Sequence, residues 1–158
     1  MFKLFKDKNM IYSPMRGNCI SLADVGDGVF SNKILGDGVA FRFDGDFVNS
    51  PCFGKVIMIA PTKHAVGIQM DNGAEILIHV GLDTVELGGK GLKVLVRNGE
   101  SLRPGDQLVE MDRTIMNENN IDLTTMLIVT NTNEYDFNPI AKGNVKNKEE
   151  LFLINKKG

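Results

Sequence analysis

The sequence contains few of the residues on which enzyme and nucleic-acid chemistry most often depend. Its 158 residues include no tryptophan, two histidines and two cysteines, and the formal net charge is only −2. Lysine and arginine are scattered along the chain, so we expect no basic surface that could follow a nucleic-acid backbone. No stretch approaches the ~20 apolar residues that cross a bilayer, and we expect no secretory signal peptide. The composition therefore argues against a nucleic-acid partner and against stable membrane insertion.

The two cysteines, Cys19 and Cys52, form neither a CxxC pair nor another metal-ligand spacing. We therefore expect two buried, reduced thiols in a cytoplasmic protein. The length and ordinary composition predict one domain over residues 11–158, after a flexible leader over residues 1–10. Because residues 1–6 alternate large apolar and basic side chains, a short helix on a membrane surface is the alternative for this leader.

Short apolar runs, separated by 17 glycines and by Asp-Gly and Asn-Gly pairs, predict an all-β protein. We expect an antiparallel sandwich or barrel with a few short helical turns, of which the best candidate is Leu92–Arg97. The predicted strands are Asn18–Leu22, Val39–Phe43, Val56–Ala60, His64–Met70, Ala74–Val80, Gln107–Met111 and Met126–Thr130.

One phrase of the sequence, Ser-Pro-x-x-Gly-x-x-Ile, occurs twice. It starts at Ser13 and again, 37 positions later, at Ser50. The proline fixes an extended entry, and the glycine supplies a tight position before each strand. We interpret the two copies as related turn–strand units, so the fold is expected to be a duplicated hybrid motif.

Both histidines flank one predicted hairpin. Asn72-Gly73 between two β-type runs is the strongest short-range signal for a two-residue type I′ turn. In that register Val66 lies opposite His79, and His64 becomes a diagonal neighbour of His79 on the same face. A slip of one residue would place the two imidazoles on opposite faces, so the prediction depends on the turn.

From spacing alone, two unrelated structural histidines remain as plausible as a functional pair. A hydrolytic triad would need a nucleophile and an orienting acid, and a zinc site would need a third ligand; neither is visible. A pair with one nucleophilic and one stabilising imidazole is possible. The run Gly88–Gly91 is not followed by the Ser or Thr of a Walker motif, so we read it as a turn. We expect no metal and no cofactor.

Four motifs in order resemble glucose-type EIIA proteins of the bacterial phosphotransferase system. They are Ile76-Leu-Ile-His-Val-Gly-Leu-Asp-Thr-Val-Glu-Leu87, Pro61-Thr-Lys-His-Ala65, Phe30 with Ile34-Leu-Gly-Asp-Gly-Val-Ala40, and Pro104-Gly-Asp106. The resemblance extends from about residue 11 to residue 154. It implies a phosphoryl carrier that takes phosphate from phospho-HPr onto His79 and passes it to the EIIB domain of a sugar permease. His64 would then hydrogen-bond the phosphoryl oxygens, and the Thr62 hydroxyl would orient His64.

The same resemblance implies a docking surface around the histidines. Its apolar rim would consist of Val29, Phe30, Ile34, Leu35, Leu77 and Val85, with Asp27 and Asp83 as acids that receive an arginine of HPr. Each of these residues has an alternative as a core or turn residue. The protein would work in the cytoplasm and transiently at the inner face of the membrane.

Other classes of function remain as alternatives. An EIIA-like regulator would bind enzymes or transporters according to its phosphorylation state. A lipoyl- or biotinyl-type carrier would need a lysine at an exposed hairpin tip, where this chain has Asp71-Asn72-Gly73. A zinc peptidase on a related scaffold would need the missing third ligand.

Overall fold

The computed structural model describes residues 7–26 and 28–158, and within them the chain forms fourteen β-strands. They are β1 Met10–Tyr12, β2 Gly17–Ser21, β3 Asp37–Arg42, β4 Phe47–Asn49, β5 Gly54–Ile59, β6 Ala65–Met70, β7 Glu75–Val80, β8 Leu92–Val94, β9 Ser101–Leu102, β10 Gln107–Met111, β11 Thr125–Val129, β12 Tyr135–Phe137, β13 Gly143–Val145 and β14 Glu150–Lys156. The all-β prediction is confirmed, and each of the seven predicted strands matches an observed one to within two residues at either end.

The strands form one large sheet and two small ones, and every pairing among the described residues is antiparallel. The large sheet has the order β13-β2-β3-β11-β7-β6-β5-β9, and the small sheets have the orders β1-β14-β12 and β4-β10-β8. The main core contains side chains from all three sheets, including Phe41, Ile78 and Leu108, each with no exposed surface. The result is a β-sandwich whose large sheet has one face on this core.

A pseudo-twofold relation organises the molecule around the two Ser-Pro turns. Tyr12 N–H donates to Pro51 O at 2.7 Å, and Asn49 N–H donates to Pro14 O at 2.9 Å, so the turns hydrogen-bond to each other reciprocally. Within each turn the serine hydroxyl donates to the carbonyl two residues on, at 2.6 Å for Ser13 and 2.9 Å for Ser50. The strand order of the large sheet matches this relation, with β7 and β11 at its centre. These contacts support the internal duplication expected from the repeated phrase.

The helical elements are short, and the helix predicted over Leu92–Arg97 is wrong. That region begins with β8, in which Leu92 is buried against the core while Lys93 is exposed, and it pairs with β10. Elsewhere in the described residues there are two α-helical segments, α1 Gly28–Ser31 and α2 Arg113–Glu118. The second begins at Asp112, whose carboxylate accepts hydrogen bonds from the N–H groups of Thr114 and Ile115. The alternation of buried and exposed side chains, which is typical of a strand, therefore outweighs the weak helical pattern at β8.

The hairpin between β6 and β7 differs by one residue from its predicted register. Ala65 lies opposite His79, and the loop has three residues, closed by hydrogen bonds from Gly73 N to Met70 O and from Met70 N to Ala74 O. Gly73 has a positive φ of 91°, whereas Asn72 does not, so the predicted type I′ turn is wrong. A three-residue loop of this kind ends in a left-handed glycine, and it shifts the pairing by one position.

Residues beyond the hairpin account for the different turn. The Asn72 side chain donates to Asn9 Oδ1 at 2.8 Å and to Ile154 O at 2.9 Å, and its own Oδ1 accepts from Ala74 N. The Tyr135 hydroxyl donates to Asn72 O at 2.9 Å. Because these contacts hold the tip against β14 and β12, long-range hydrogen bonds select a loop that the local dipeptide alone does not favour.

Candidate functional site

His79 lies on the outer face of β7, away from the main core. Its strand neighbours Ile78 and Val80 are fully buried in that core, so strict alternation turns His79 to the other side. There, the segment that contains α1 packs over the sheet and forms a second apolar cluster with Phe30, Met126 and Ile128. The Phe30 ring meets the His79 imidazole edge-on, with ring centroids 4.8 Å apart. One side of the imidazole is thus held by an aromatic contact.

A backbone carbonyl fixes how the His79 ring is presented. Its Nδ1 lies 3.0 Å from Gly81 O, and a carbonyl oxygen can only accept, so Nδ1 carries the proton and donates. The lone pair is therefore on Nε2. Gly81 has a φ of 76°, and a β-carbon there would lie 2.6 Å from Thr84 Cγ2, so this turn requires glycine. The glycine after the strand consequently determines which nitrogen of His79 can act as a nucleophile.

His64 reaches the same face from a turn and not from the strand. The turn is closed by hydrogen bonds from Lys63 N to Ala60 O and from Ala60 N to Ala65 O, and Lys63 has a φ of 63°. Since β6 begins at Ala65, His64 is not bound by the alternation of the strand. Its ring centroid lies 4.8 Å from that of His79, with the planes at 75°. The expected proximity of the imidazoles is present, but it results from this turn and not from the predicted register.

Thr62 is the polar partner of His64. Its hydroxyl Oγ1 lies 2.5 Å from His64 Nδ1. Burial lowers the pKa of His64 below the ordinary histidine value, which favours the neutral ring near pH 7. A neutral ring that accepts at Nδ1 from Thr62 carries its proton on Nε2. In this tautomer the second imidazole has one N–H donor, in a ring whose centroid lies 4.8 Å from that of His79.

The residues expected to form an apolar rim fall into two groups. Val29, Ile34, Leu35 and Val85 are exposed, with Ile34 the most accessible at 69%. Leu77 is half-buried on the same face as His79, whereas Phe30 is buried at 6% and contacts the imidazole directly. The structure thus gives Phe30 a packing position against the His79 ring in place of a fully accessible one.

The structure describes only one of the two acidic residues that were expected at the docking surface. Asp83 is exposed and takes a left-handed conformation, with φ 60°, directly before the 3-10 turn Thr84–Leu87. Asp27 lies outside the described residues, as do residues 1–6 of the expected leader. One exposed carboxylate therefore stands near the end of β7, two residues after Gly81.

Metal binding has no visible basis in the described part of the chain. No group of three or more His, Cys, Asp or Glu side chains is arranged there to hold an ion. Cys19 and Cys52 are free and buried, and burial raises the pKa of the Cys52 thiol to about 12. Both thiols are therefore inert core residues near neutral pH.

Sequence reasoning missed three contributors to this face. The Gly81 carbonyl is one, although a glycine after a strand-borne histidine could have suggested it. Ile57 and Met58 are the others, since both are exposed at 45% and 39% although neighbouring strand residues should alternate between faces. Their exposure depends on a bulge that no local pattern reveals.

This geometry defines a class: an antiparallel β-sandwich that presents a histidine pair on an exposed, partly apolar face. Comparison with known proteins gives the family. Residues 9–135 match the model of the family described as phosphoenolpyruvate-dependent sugar phosphotransferase system, EIIA 1. The chain belongs to this family, and it is an EIIA-type component of a sugar phosphotransferase system.

Individual relatives agree with this assignment. The chain is 39% identical over 142 residues to a glucose-specific EIIA component of Staphylococcus aureus, covering 86% of each chain. It is 43% identical over 148 residues to the β-glucoside-specific EIIBCA component of Bacillus subtilis, covering 93% of this chain and only 24% of that one. The chain therefore spans about a quarter of the length of this multidomain relative. The solved structure of glucose permease IIA from Mycoplasma capricolum matches with a TM-score of 0.84 and 34% identity, covering 98% of this chain and 99% of that one.

Proposed function

We propose that this chain carries a phosphoryl group on Nε2 of His79, which it accepts from phospho-HPr and passes to an EIIB domain. The observation that supports this most directly is the hydrogen bond from His79 Nδ1 to Gly81 O, with the His64 ring beside the same imidazole. It leaves Nε2 unprotonated in a ring that packs against a second imidazole. Family membership makes the chain a phosphotransferase component, and the geometry supplies an acceptor atom for it.

The proposed transfer needs no cofactor. The phosphorus–nitrogen bond of the donor phosphohistidine breaks as the bond from phosphorus to His79 Nε2 forms, and the donor imidazole keeps the released electron pair. The second transfer runs the same way, from His79 to the nucleophile of EIIB. Because the group is already activated, the protein must mainly align the two partners and stabilise the charge on the equatorial oxygens.

His64 is proposed to stabilise the phosphoryl oxygens. With the Thr62 hydroxyl donating to Nδ1, the proton of His64 is on Nε2, in a ring whose centroid lies 4.8 Å from that of His79. A preorganised donor of this type acts without reorganisation at the moment of transfer. Thr62 is a positioning residue in this scheme, since it acts through His64.

The surroundings suit partners that bind and leave quickly. Val85 and Ile34 are exposed apolar side chains, and Asp83 is an exposed carboxylate. A mixture of apolar and charged groups allows rapid encounter without a large permanent interface. We assign Asp83, and Asp27 by family resemblance, to an arginine of HPr. The structure has no helix long and apolar enough to span a membrane among its described residues. We place the carrier in the cytoplasm, with transient visits to the inner membrane face where EIIB works.

The names of the relatives specify different sugars, glucose in one case and β-glucosides in another. We therefore assign this chain to sugar uptake without naming the sugar. The comparisons favour the carrier role over the purely regulatory alternative, since the matched relatives are components of sugar systems. Residues 11–158 are proposed to form a single EIIA domain.

The test is phosphorylation with phosphoenolpyruvate, enzyme I and HPr, followed by mass spectrometry under alkaline conditions that preserve phosphohistidine. One phosphoryl group is expected, and the modified peptide should contain His79. His64→Gln is the matched control, because it removes the other histidine and should leave the label in place. Labelling at His64, or no labelling of the parent chain, would contradict the proposal.

A further inference from the structure

A basic groove lies where β2 begins and β3 ends, next to β13 at one edge of the large sheet. Its volume is about 750 Å³, which is within the range of small-molecule sites. β3 and β11 separate β2 from the histidine strand β7, and neither histidine lines the groove. We call it the β2–β3 groove, and its polar lining residues are Arg16, Asn18, Arg42, Asp44 and Asn144.

Strand pairing places three of these side chains in one row. Asn18 pairs with Asn144 on one side and with Arg42 on the other. Because their strand neighbours Cys19 and Phe41 are buried in the main core, the row faces away from that core. The row therefore presents two side-chain amides and one guanidinium group, all on exposed residues.

Gly17 brings a second guanidinium group to the same place. A β-carbon on Gly17 would lie 2.5 Å from Arg42 O and 2.8 Å from Phe43 Cβ, so a larger residue would push β2 away from β3. This close approach continues the strand register by one residue, and it places Arg16 diagonally from Arg42. Diagonal neighbours of this kind have Cα atoms about 7–8 Å apart, so two arginine side chains can reach one ligand.

The two guanidinium groups keep their charge available for a ligand. Within the described residues, no carboxylate forms an ion pair with Arg16 or Arg42, and Arg42 has only a long contact of 3.5 Å to Asp24 O. Asp44 also lines the groove, but as a single carboxylate it leaves the groove with an excess of positive charge.

Arg113 holds the segment that carries Asp44. Its guanidinium group donates to Gly45 O at 2.7 Å and to Phe43 O at 2.9 Å, and it stacks over the Phe43 ring at 5.1 Å from the centroid. The wall of the groove after β3 is therefore held by three contacts of one side chain.

The equivalent place in the other half of the sheet has different chemistry. There the row consists of Ser101, Lys55 and Gln69, and Phe53 takes the position of Arg16 in the repeated Ser-Pro phrase. The pair of arginines is therefore a property of the β2–β3 groove and not a consequence of the duplicated backbone.

We propose that the β2–β3 groove binds a phosphorylated sugar. Arg16 and Arg42 hold the phosphate, because guanidinium groups bind phosphate oxygens in pairs. The carboxylate of Asp44 accepts hydrogen bonds from sugar hydroxyls, and the amides of Asn18 and Asn144 serve either part of the ligand. A carboxylate repels a bare anion, so a ligand that carries hydroxyls fits better than inorganic phosphate.

The choice of a sugar phosphate rests in part on the proposed function. A sugar phosphotransferase system produces phosphorylated sugars, so this ligand class is present where the chain works. The groove itself is defined by its own residues and does not depend on phosphorylation of His79. Binding can therefore be measured on the unphosphorylated chain.

The test is calorimetric titration with glucose 6-phosphate as the probe, compared with glucose and with inorganic phosphate. We expect glucose 6-phosphate to bind about tenfold more tightly than inorganic phosphate, and glucose not to bind. The double variant Arg16→Gln, Arg42→Gln should weaken binding by about tenfold or more. The matched control Arg97→Gln, Arg103→Gln removes the same charge from exposed positions outside the groove and should bind like the parent.

Equal losses in the two double variants, or no binding to the parent, would overturn the site. Inorganic phosphate that binds as tightly as glucose 6-phosphate would overturn the assignment to a sugar. A second measurement uses the unmodified chain: the side-chain Nε–H resonances of Arg16 and Arg42 should shift on addition of glucose 6-phosphate, and unchanged resonances would contradict the proposal. These results are separate from the carrier function, which instead fails if His79 is not labelled.

Discussion

The large sheet consists of two related halves, β9-β5-β6-β7 and β13-β2-β3-β11. Their strand orders match, but the side chains at equivalent positions differ. His79 on β7 lies opposite Ala65, and the equivalent position on β11 is Ile128, which lies opposite Gly38. The residue before Ala65 is His64 and the residue before Gly38 is Asp37. Each follows a residue with positive φ, Lys63 in one half and Gly36 in the other. The duplicated fold thus offers two places for a functional pair.

The two halves differ in the connection that precedes β6 in one half and β3 in the other. Residues 60–64 join β5 to β6 by a short turn, which brings His64 to the imidazole of His79. Residues 22–36 join β2 to β3 and include α1, which covers the sheet so that Ile128 is only 1% exposed. In that half the Asp37 carboxylate accepts from Gly38 N and pairs with Lys33 at 3.5 Å. A long connection in one half therefore supplies the cover and rim, and a short one in the other leaves the site open.

The largest effect on phosphorylation is expected when His79 is replaced by isoleucine, the residue at the equivalent position of β11. In His79→Ile the chain should fold, because β-branched residues suit a strand, but phosphorylation by HPr should be lost completely. Mass spectrometry of the intact protein after incubation with the donor system measures this directly. Thermal unfolding serves as the control for fold. A variant labelled as strongly as the parent would place the acceptor elsewhere.

A smaller loss is expected at His64. His64→Gln should still accept phosphate, since glutamine can donate a hydrogen bond, while the rate of transfer to EIIB should fall about 10²–10³-fold. His64→Asp copies the other half of the sheet and should be worse, because a second negative charge faces the phosphoryl group. Single-turnover transfer rates separate these variants. Transfer at the parent rate in either one would rule out the stabilising role.

The Gly81 turn gives a third test, through stability. Gly81→Ala combines a left-handed φ of 76° with a β-carbon 2.6 Å from Thr84 Cγ2, so we expect a loss of about 1–3 kcal/mol in unfolding free energy. Gly88→Ala is the matched control, because Gly88 also has a positive φ of 61° but has open space around it. Its loss should be smaller, about 1 kcal/mol. Equal losses in denaturant titrations would show that the contact with Thr84 adds nothing.

The smallest effect concerns pH. The pKa of His64 is lower in the folded chain than the ordinary 6.5, so the unfolded chain binds the extra proton more readily. Stability should therefore decrease as pH falls through about 6.5 and continue to fall until the folded His64 also titrates. The parent and His64→Gln should differ in this window and converge in slope above it. Parallel pH profiles for the two chains would show that His64 does not contribute.

Much of this frame was predictable from sequence, and the reasons for the failures are physical. Alternating apolar runs located seven of the strands, including β6 and β7 beside the histidines, and the repeated Ser-Pro phrase indicated the duplication. The loop at Asn72 was mispredicted because its side chain and carbonyl bind Ile154 O and the Tyr135 hydroxyl, which are distant in sequence. Two errors then cancelled: the register slipped by one, and the turn at Lys63 returned His64 to the correct face.

Other features had no local signal. The bulge that exposes Met58 depends on which residues of β6 are available for pairing, and a run such as Val56–Ile59 reads as an ordinary strand. The packing of Phe30 on His79 depends on how the segment from β2 to β3 folds back over the sheet. Such contacts belong to the tertiary structure and not to any window of sequence.

The pairing of β1 with β14 has a consequence for how the chain folds during synthesis. Met10 lies opposite Leu153, so the first described strand finds its partner only when almost the whole chain has been made. β2 can pair with β3 early, but its other neighbour, β13, is Gly143–Val145 and is made much later. Contacts between such distant residues slow folding, because a large loop must close before they form. On the ribosome, the hairpin with His79 can therefore form early, whereas the sandwich should close in a late, cooperative step.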